Sequence, residues 1–395
     1  MRWERVERET NDFMELNKVV IPREVTLLGA LVVLAGCLAA ATGGALLDPR
    51  NVSQLLVEVP VNAVLAVGML LVILTGHIDL AAGSGVGLTG GIMAVLATRH
   101  GVAPVLAACC AVVVAIVLWW GMGWLVVRQR VPAFIVTLGG LQALKGLFWV
   151  VIENRTVPVA PGGVQNVVSG LTTWYLGAET GWAVWGVVVG LSAVAVWRRR
   201  ARRAGFGLAN EGVEPVFLRW FLGVQASALV VVVCNGYRGI PLPMVILCGL
   251  AWLVHLLLRH TVLGRYMVAV GGNESAARLS GVPVGAVTLF AFAAAGAVVG
   301  LTGLMQTAYA GYSTADIGTL MELDAVAACV MGGVSLRGGS GTVTGVLLGA
   351  AIMGVLAKGL SLMGVGPELK YMVRGGVLVL AVWLDVRSGG AARMA

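Results

Sequence analysis

The stretch LLVEVPVNAVLAVGMLLVILTG at residues 55–76 decides the fold class of this chain. Glu58 is the only charged residue in it. A helix needs about 20 predominantly apolar residues to cross the hydrocarbon core of a bilayer. The stretch is therefore long and apolar enough to span a membrane, and it predicts a membrane protein.

Similar apolar runs extend outward from this stretch over most of the chain. Hydrophobic residues make up 58% of the 395 residues and charged residues only 12%, whereas soluble domains carry about 25% charged residues. None of the runs alternates as the strands of a membrane β-barrel do. We therefore predict an all-α, polytopic transmembrane helical bundle of about 10–12 spans. The twelve runs are 25–47, 55–76, 80–98, 102–127, 132–152, 180–197, 216–235, 241–258, 286–308, 323–335, 342–362 and 370–386.

The run 323–335 is shorter than a typical transmembrane helix, so the sequence leaves open whether it crosses the membrane or is re-entrant. Arginine positions predict the orientation, because cytoplasmic loops carry an excess of Lys and Arg. If the N-terminus is inside and each run crosses the membrane in turn, every arginine cluster and both termini lie in the cytoplasm. The clusters are Arg198, Arg199, Arg200, Arg202 and Arg203, Arg128 and Arg130, Arg259 and Arg265, and Arg387 and Arg393.

These positions predict one transmembrane domain with short flanking segments. Residues 1–24 form a cytoplasmic N-terminal segment, 25–386 the transmembrane domain and 387–395 a cytoplasmic tail. The domain includes an external loop at 153–178, a basic cytoplasmic loop at 198–215 and a second cytoplasmic loop at 259–284.

The motifs of common enzyme classes are absent from the sequence. It contains no GxxxxGK[ST] phosphate loop, no GxSxG elbow and no metal-ligand spacing. We therefore predict no catalytic residue, no bound metal and no ATP hydrolysis by this chain itself. The GVGLTG string at 85–90 lies in a membrane run, so we interpret it as a helix-packing motif, like the series Gly341, Gly345 and Gly349. The six cysteines are interpreted as small buried hydrophobic side chains.

Three acidic residues lie at the ends of apolar runs, where burying a charge costs about 2.5–3.5 kcal/mol on insertion scales. Asp79 lies in LTGHIDLAAGSG at 74–85, and Glu322 and Asp324 lie in TLMELDAVAACV at 319–330. Two interpretations stay open for each. The carboxylate caps a helix N-terminus, or it lines a substrate path.

The segment GGNESAARLSG at 271–281 is the most distinctive sequence pattern in the predicted cytoplasmic loop 259–284. It predicts a short amphipathic helix between glycine ends, with Glu274 and Arg278 paired at i, i+4 spacing. A helix of this length does not stand alone, so docking against a partner would explain it. A solvated loop is the alternative interpretation.

These segments resemble the permease family of high-affinity monosaccharide importers, the ribose, xylose and galactose type of bacterial ABC transporters. The extra span around 180–197, the arginine-rich loop and NGYRGIPLP at 235–243 resemble the xylose permease branch. At the break near Asp79 the chain departs from the family pattern, with His77 before Ile78 and IDLA in place of IDLS. The blocks that carry the resemblance are 51–84, 131–140, 264–282, 322–350 and 373–386.

The resemblance implies a permease homodimer in the lipid of the bacterial inner membrane. A periplasmic sugar-binding protein would deliver the sugar, and two cytoplasmic ATPase subunits would bind the ATP and Mg; this chain would hold no cofactor and no nucleic acid. Asp79, Glu322 and Asp324 match the family's IDLS and ELDAIAA blocks. By analogy the loop 259–284 is the coupling loop, and its ATPase-contacting residues are Gly271, Gly272, Asn273, Glu274, Ala277, Arg278, Leu279, Ser280 and Gly281.

The predicted function is therefore ATP-driven import of a monosaccharide, with D-xylose as the first choice. Ribose, galactose, another small sugar or a branched-chain amino acid are alternatives within the family. A secondary sugar carrier would need ion-coupling acids in matched half-repeats and would leave the segment 271–281 unexplained. An intramembrane enzyme would need a nucleophile–base pair or a metal site, which the sequence does not present.

Overall fold

The computed structural model describes residues 23–160, 163, 165–206 and 212–391. The predicted segment 1–24 lies almost wholly outside these ranges, as do the last four residues of the predicted tail. The described residues form fifteen α-helices, a 3₁₀ helix at Ala45–Leu47 and four two-residue strands. The helices are α1 Arg23–Ala41, α2 Pro49–Leu74, α3 Ala82–Thr98, α4 Pro104–Gln129, α5 Ala133–Ile152, α6 Val167–Thr173, α7 Ala178–Gly205, α8 Val213–Asn235, α9 Leu242–His260, α10 Val262–Gly272, α11 Glu274–Leu279, α12 Val284–Ala310, α13 Met321–Met331, α14 Val343–Leu362 and α15 Pro367–Ala391.

The prediction of an all-α membrane bundle is confirmed. Among the described helices, nine are long and apolar enough to cross a membrane: α1, α2, α4, α5, α7, α8, α9, α12 and α14. The strands β1 (Val157–Pro158) and β4 (Tyr312–Ser313) pair antiparallel, as do β2 (Tyr175–Leu176) and β3 (Ile240–Pro241). The end of the bundle that carries β1 and β4 is called the strand end. Helix α12 runs from there to the opposite end, called the α11 end.

The core of the bundle lies around α2 and α12. Helix α2 is buried almost continuously over 61–74, and α12 packs against α2, α3 and α4. Small residues allow these close contacts: a Cβ at Gly303 would overlap the Thr89 hydroxyl, and one at Gly296 would meet Trp119. The packing interpretation of residues 85–90 is therefore confirmed, because that string lies in α3 against α12.

The short helix α13 belongs to a segment that crosses the whole bundle. It has 11 residues, about 16 Å at 1.5 Å per residue, which is half of the hydrocarbon core. The chain enters from β4 at the strand end, and the loop after α13 brings Gly338 and Gly339 against Gly76 and Gly271 at the α11 end. The segment around 323–335 therefore crosses as a half-helix flanked by irregular backbone, and it is not re-entrant.

Some predicted loops and buried positions differ in the structure. Helix α7 continues to Gly205, so the five arginines of the predicted loop 198–215 lie in its last two turns; Arg and Ala are good helix formers. The predicted external loop 153–178 contains α6. The burial prediction for cysteines is wrong for four of the six, because hydropathy does not separate lipid-facing from buried sites. Cys234 and Cys329 are buried, and Cys37, Cys109, Cys110 and Cys248 are exposed.

Candidate functional site

Helix α11 has 6 residues, fewer than two helical turns, and lies at the end of the bundle that is named after it. The Asn273 side-chain oxygen accepts a hydrogen bond from the Ala276 N–H at 2.9 Å, which caps the helix start. Arg278 Nη2 lies 2.7 Å from Glu274 Oε1, and both side chains are more than half exposed. The helix predicted from GGNESAARLSG is present, and its charged pair is partly exposed to solvent.

The end of α11 is fixed by the residues that follow it. Gly281 has φ +79°, the left-handed conformation that glycine adopts at helix C-termini. The Ser280 hydroxyl donates to the Ala276 carbonyl at 2.9 Å. Ala277 is buried against the protein, whereas Leu279 is 91% exposed. The outer face of α11 therefore presents one large apolar side chain beside a charged pair.

A junction of glycines ties α11 to the core. Gly271, at the end of α10, lies against the Leu74 carbonyl at the end of α2, so closely that a Cβ there would overlap its oxygen. Gly339 N donates to the same carbonyl at 3.0 Å. Gly338 packs against Gly76 and Gly271 with φ +86°. We call these five residues (Leu74, Gly76, Gly271, Gly338 and Gly339) the glycine junction; it joins α2, α10 and the loop between α13 and α14.

A cavity of about 620 Å³ opens beside α11. Its lining includes His77, Glu274, Arg278, Arg130 and Thr288. Burial lowers the pKa of His77 below its ordinary value, and the Glu274 carboxylate partly opposes this shift. His77 is thus placed between α11 and the core.

The break between α2 and α3 turns back into the bundle and carries Asp79 with it. Asp79 is 1% exposed. Its carboxylate accepts hydrogen bonds from the Trp119 indole at 2.6 Å and from the Ala81 N–H at 2.9 Å. The irregular backbone is held by the Thr137 hydroxyl, which donates to the Ile78 carbonyl at 3.2 Å. Irregular backbone at this depth is tolerated where protein buries it.

The structure brings Glu322 to the start of α3. Its carboxylate and the Gly318 carbonyl fill the space over Gly83, in the first turn of that helix. Glu322 is close enough to Asp79 for their charges to interact. The N-terminal ends of two short helices, α3 and α13, therefore meet at acidic residues, which complements the positive ends of both helix dipoles.

Asp324 lies apart from Asp79, at a polar cavity of about 270 Å³ toward the strand end. Arg374 Nη1 of α15 lies 2.9 Å from Asp324 Oδ2. Tyr309 donates to Glu58, and Asn62 and Gln306 complete the polar wall. We call this space the strand-end cavity.

Several of the polar residues in this half of the bundle were not singled out from the sequence. Lys358 Nζ bonds to Gln54 Oε1 at 2.8 Å and lies 3.8 Å from Glu58. Lys145 Nζ bonds to the Ala315 carbonyl at 2.8 Å and to the Thr319 hydroxyl at 2.9 Å, which fixes the segment before α13. A single charge inside an otherwise apolar run is the signal that could have found both lysines.

Comparison with known proteins identifies the family. A family described as "Branched-chain amino acid transport system / permease component" matches residues 51–382. The xylose transport system permease protein XylH of Escherichia coli K12 is 36% identical over 366 residues, covering 91% of this chain and 90% of that protein. XylH of Haemophilus influenzae is 36% identical over 360 residues, with 91% and 95% covered. The ribose import permease protein RbsC of E. coli K12 is 32% identical over 336 residues, with 85% of each chain covered. No solved structure matches this chain.

These matches confirm the resemblance to monosaccharide permeases, with the xylose branch among them. They also confirm that the chain is a transport subunit and not an enzyme, and they leave the secondary-carrier interpretation without support. The nine candidate spans among the described helices and this family place the chain among multi-pass inner-membrane proteins. The chain belongs to the permease components of ABC importers, in the family of the xylose and ribose permeases, whose members act with an ATPase and a binding protein.

Proposed function

We propose that this chain imports D-xylose and that α11 transmits the force of ATP binding from a cytoplasmic ATPase. The observation that carries the coupling role is the geometry of α11, which is capped at both ends, exposes Leu279 and the Glu274–Arg278 pair, and is anchored at the glycine junction. The choice of xylose is supported by the 36% identity to XylH over 91% of the chain. The arginines favour a cytoplasmic location for the α11 end.

In this proposal a displacement of α11 moves two elements at once. Gly271 contacts the end of α2, beyond which lies the break with Asp79, and it contacts Gly339 in the loop that follows α13. Because the contacts are backbone against backbone, little side-chain motion can absorb a shift. The movement would reach both short helices, α3 and α13, whose N-terminal ends meet inside the bundle.

The sugar would pass along the strand-end cavity. Glu58, Asn62, Gln306, Asp324 and Arg374 offer donors and acceptors within one space, and a few convergent polar groups in a cavity are typical of a small-molecule site. Asp79 and Glu322 would cap the N-terminal ends of α3 and α13. They would thereby stabilise the irregular backbone that precedes each helix. A second copy of the chain would complete the pathway as a homodimer.

The test is uptake of radiolabelled xylose, ribose, galactose and glucose in cells that lack other transporters for these sugars. The cells express the ATPase and the binding protein with or without this chain. Uptake of xylose alone, dependent on the chain and on ATP, is the expected result. Uptake that survives ATP depletion and collapses with the proton gradient would contradict the importer mechanism.

Ribose is the second candidate substrate, because RbsC is 32% identical over 85% of the chain. Chain-dependent uptake of ribose without xylose would keep the permease function and replace the substrate. Paired binding proteins for each sugar must be supplied in this experiment, so that delivery does not decide the outcome.

A further inference from the structure

The α7–α8 hairpin carries the most concentrated positive charge of the described chain, and the coupling mechanism does not use it. Two cavities of about 340 and 780 Å³ flank the last turns of α7. Arg199 and Arg203 line both of them. Across the two cavities the basic residues are Arg198, Arg199, Arg200, Arg202, Arg203, Arg219, Arg259, His255 and His260.

The length of α7 would place its arginines at the depth of lipid headgroups. Helix α7 has 28 residues, and about 20 residues are enough to cross a hydrocarbon core of about 30 Å. If Ala178 marks one boundary, the other falls near Trp197, and Arg198 is the first residue beyond it. The basic turns therefore extend past the hydrocarbon into the headgroup layer.

The arginines converge across the cavities from three helices. Arg199 and Arg203 of α7 face Arg219 of α8 on one side and Arg259 of α9 on the other. Among the described residues that line either cavity, none is acidic. Arg199, Arg203 and Arg259 line one cavity, and like charges held close together are destabilising. An anion among these three arginines would stabilise the arrangement.

The two helices of the hairpin are tied to each other and supply apolar walls. The Trp220 indole donates to the Ser192 hydroxyl at 3.0 Å, and the Trp185 indole donates to the Ser227 hydroxyl at 3.0 Å, so α7 and α8 are tied at two levels. Val196 and Val216 line the smaller cavity, and Phe206 lines the larger. A ligand with phosphates at one end and acyl chains at the other matches both kinds of wall.

We propose that the two cavities bind the phosphate groups of anionic phospholipids. Arginine recognises phosphate through paired N–H donors, and basic pockets between membrane helices on the cytoplasmic side are typical sites for such headgroups. Because Arg199 and Arg203 are shared by both cavities, a lipid with two phosphates can occupy them together. This proposal needs the membrane location of the chain and is independent of the transported sugar.

The test is lipid binding by the purified full-length chain in neutral detergent, counted by native mass spectrometry. Cardiolipin, phosphatidylglycerol and phosphatidylcholine are titrated separately. We expect cardiolipin and phosphatidylglycerol to bind more tightly than phosphatidylcholine. We expect Arg199→Gln with Arg203→Gln to weaken cardiolipin binding about 30-fold, roughly the effect of two arginines at an anionic surface.

The matched control is Arg128→Gln with Arg265→Gln, which removes two exposed arginines of the same predicted side outside both cavities. It should bind cardiolipin as the unaltered chain does. Arg199→Lys with Arg203→Lys keeps the charge that sets topology and should give an intermediate affinity. Equal binding by the two glutamine variants would overturn the proposal, as would displacement of cardiolipin by millimolar inorganic phosphate.

Discussion

Helices α2 and α7 are both apolar enough to span a membrane, yet they occupy opposite environments. In α2, 78% of the most apolar stretch is buried inside the protein, against 6% in α7. Small residues lie at the contacts of α2 with its neighbours, as where Gly68 of α2 meets Val298 of α12. In α7, Gly186 and Gly190 have no neighbour within 4 Å of a Cβ position.

Small residues therefore have different roles in the two helices. Membrane helices associate through close packing rather than through hydrophobicity, because lipid tails are as apolar as leucine. Glycine in the core permits two helix backbones to touch, so it fixes the position of one helix against the other. At Gly186 and Gly190 in the hairpin a Cβ would meet open space, so these two glycines hold no helix contact. In our two proposals the core transmits motion and the hairpin binds lipid.

The largest effect is expected from Gly271→Ala, which tests the glycine junction. Its Cβ would overlap the Leu74 carbonyl oxygen, and overpacking of this kind costs about 1–3 kcal/mol. We expect uptake to fall to background and the melting temperature of the purified chain to drop. Gly249→Ala in α9 is the control, because its Cβ meets nothing within 4 Å.

On the other side of the comparison, Gly190→Ala in the hairpin should change neither uptake nor melting temperature. If Gly271→Ala and Gly190→Ala behaved alike in both measurements, the contrast between a packed core and a loose hairpin would fail.

The double variant Glu274→Ala with Arg278→Ala separates coupling from stability. An exposed i, i+4 pair contributes only about 0.2–0.5 kcal/mol, so expression and melting temperature should stay near those of the unaltered chain. Uptake should be lost, because the ATPase no longer engages α11. Sugar uptake at the normal rate in this variant would contradict the coupling role. The control is Arg265→Gln, an exposed change on the neighbouring helix α10.

A smaller effect is expected from Asp324→Asn at the strand-end cavity. The change removes the charge that faces Arg374 at 2.9 Å, and we expect a KM for uptake about tenfold higher, or about 1.4 kcal/mol. The matched control is Glu153→Gln, which breaks the ion pair with Arg99 at 3.0 Å in the loop after α5. An unchanged KM in Asp324→Asn would contradict a role for Asp324 in the sugar path.

The smallest effect concerns pH and His77. Because burial lowers the pKa of His77 in the folded state, the unfolded chain takes up the proton first as pH falls below about 6.5. Stability should therefore decline from that pH toward the lower, folded pKa. Thermal unfolding of His77→Gln across this range should show a shallower decline. Parallel curves for the two chains would contradict this origin of the pH dependence.

Much of α11 could be predicted from the sequence, because its features are local. The Glu274–Arg278 pair and the glycine ends depend on spacing along one helix, whereas the cap at Asn273 was seen only in the structure. Asp79 was visible as a charge at a break. The partners of these residues were not visible, since Trp119 is 40 positions away from Asp79 and Gly339 is far along the chain from Leu74.

The sequence by itself determined the membrane class, the apolar runs and the short helix α11, because hydropathy and helix end signals depend on neighbouring residues. Only the tertiary structure decided that 321–331 is a half-helix in a crossing segment, that Glu322 sits over Gly83, and that three backbones meet at Gly271. The physical reason is that transfer into lipid and burial in protein have the same hydropathy signature. Contact between helices depends on shape and on small residues brought together from distant parts of the chain.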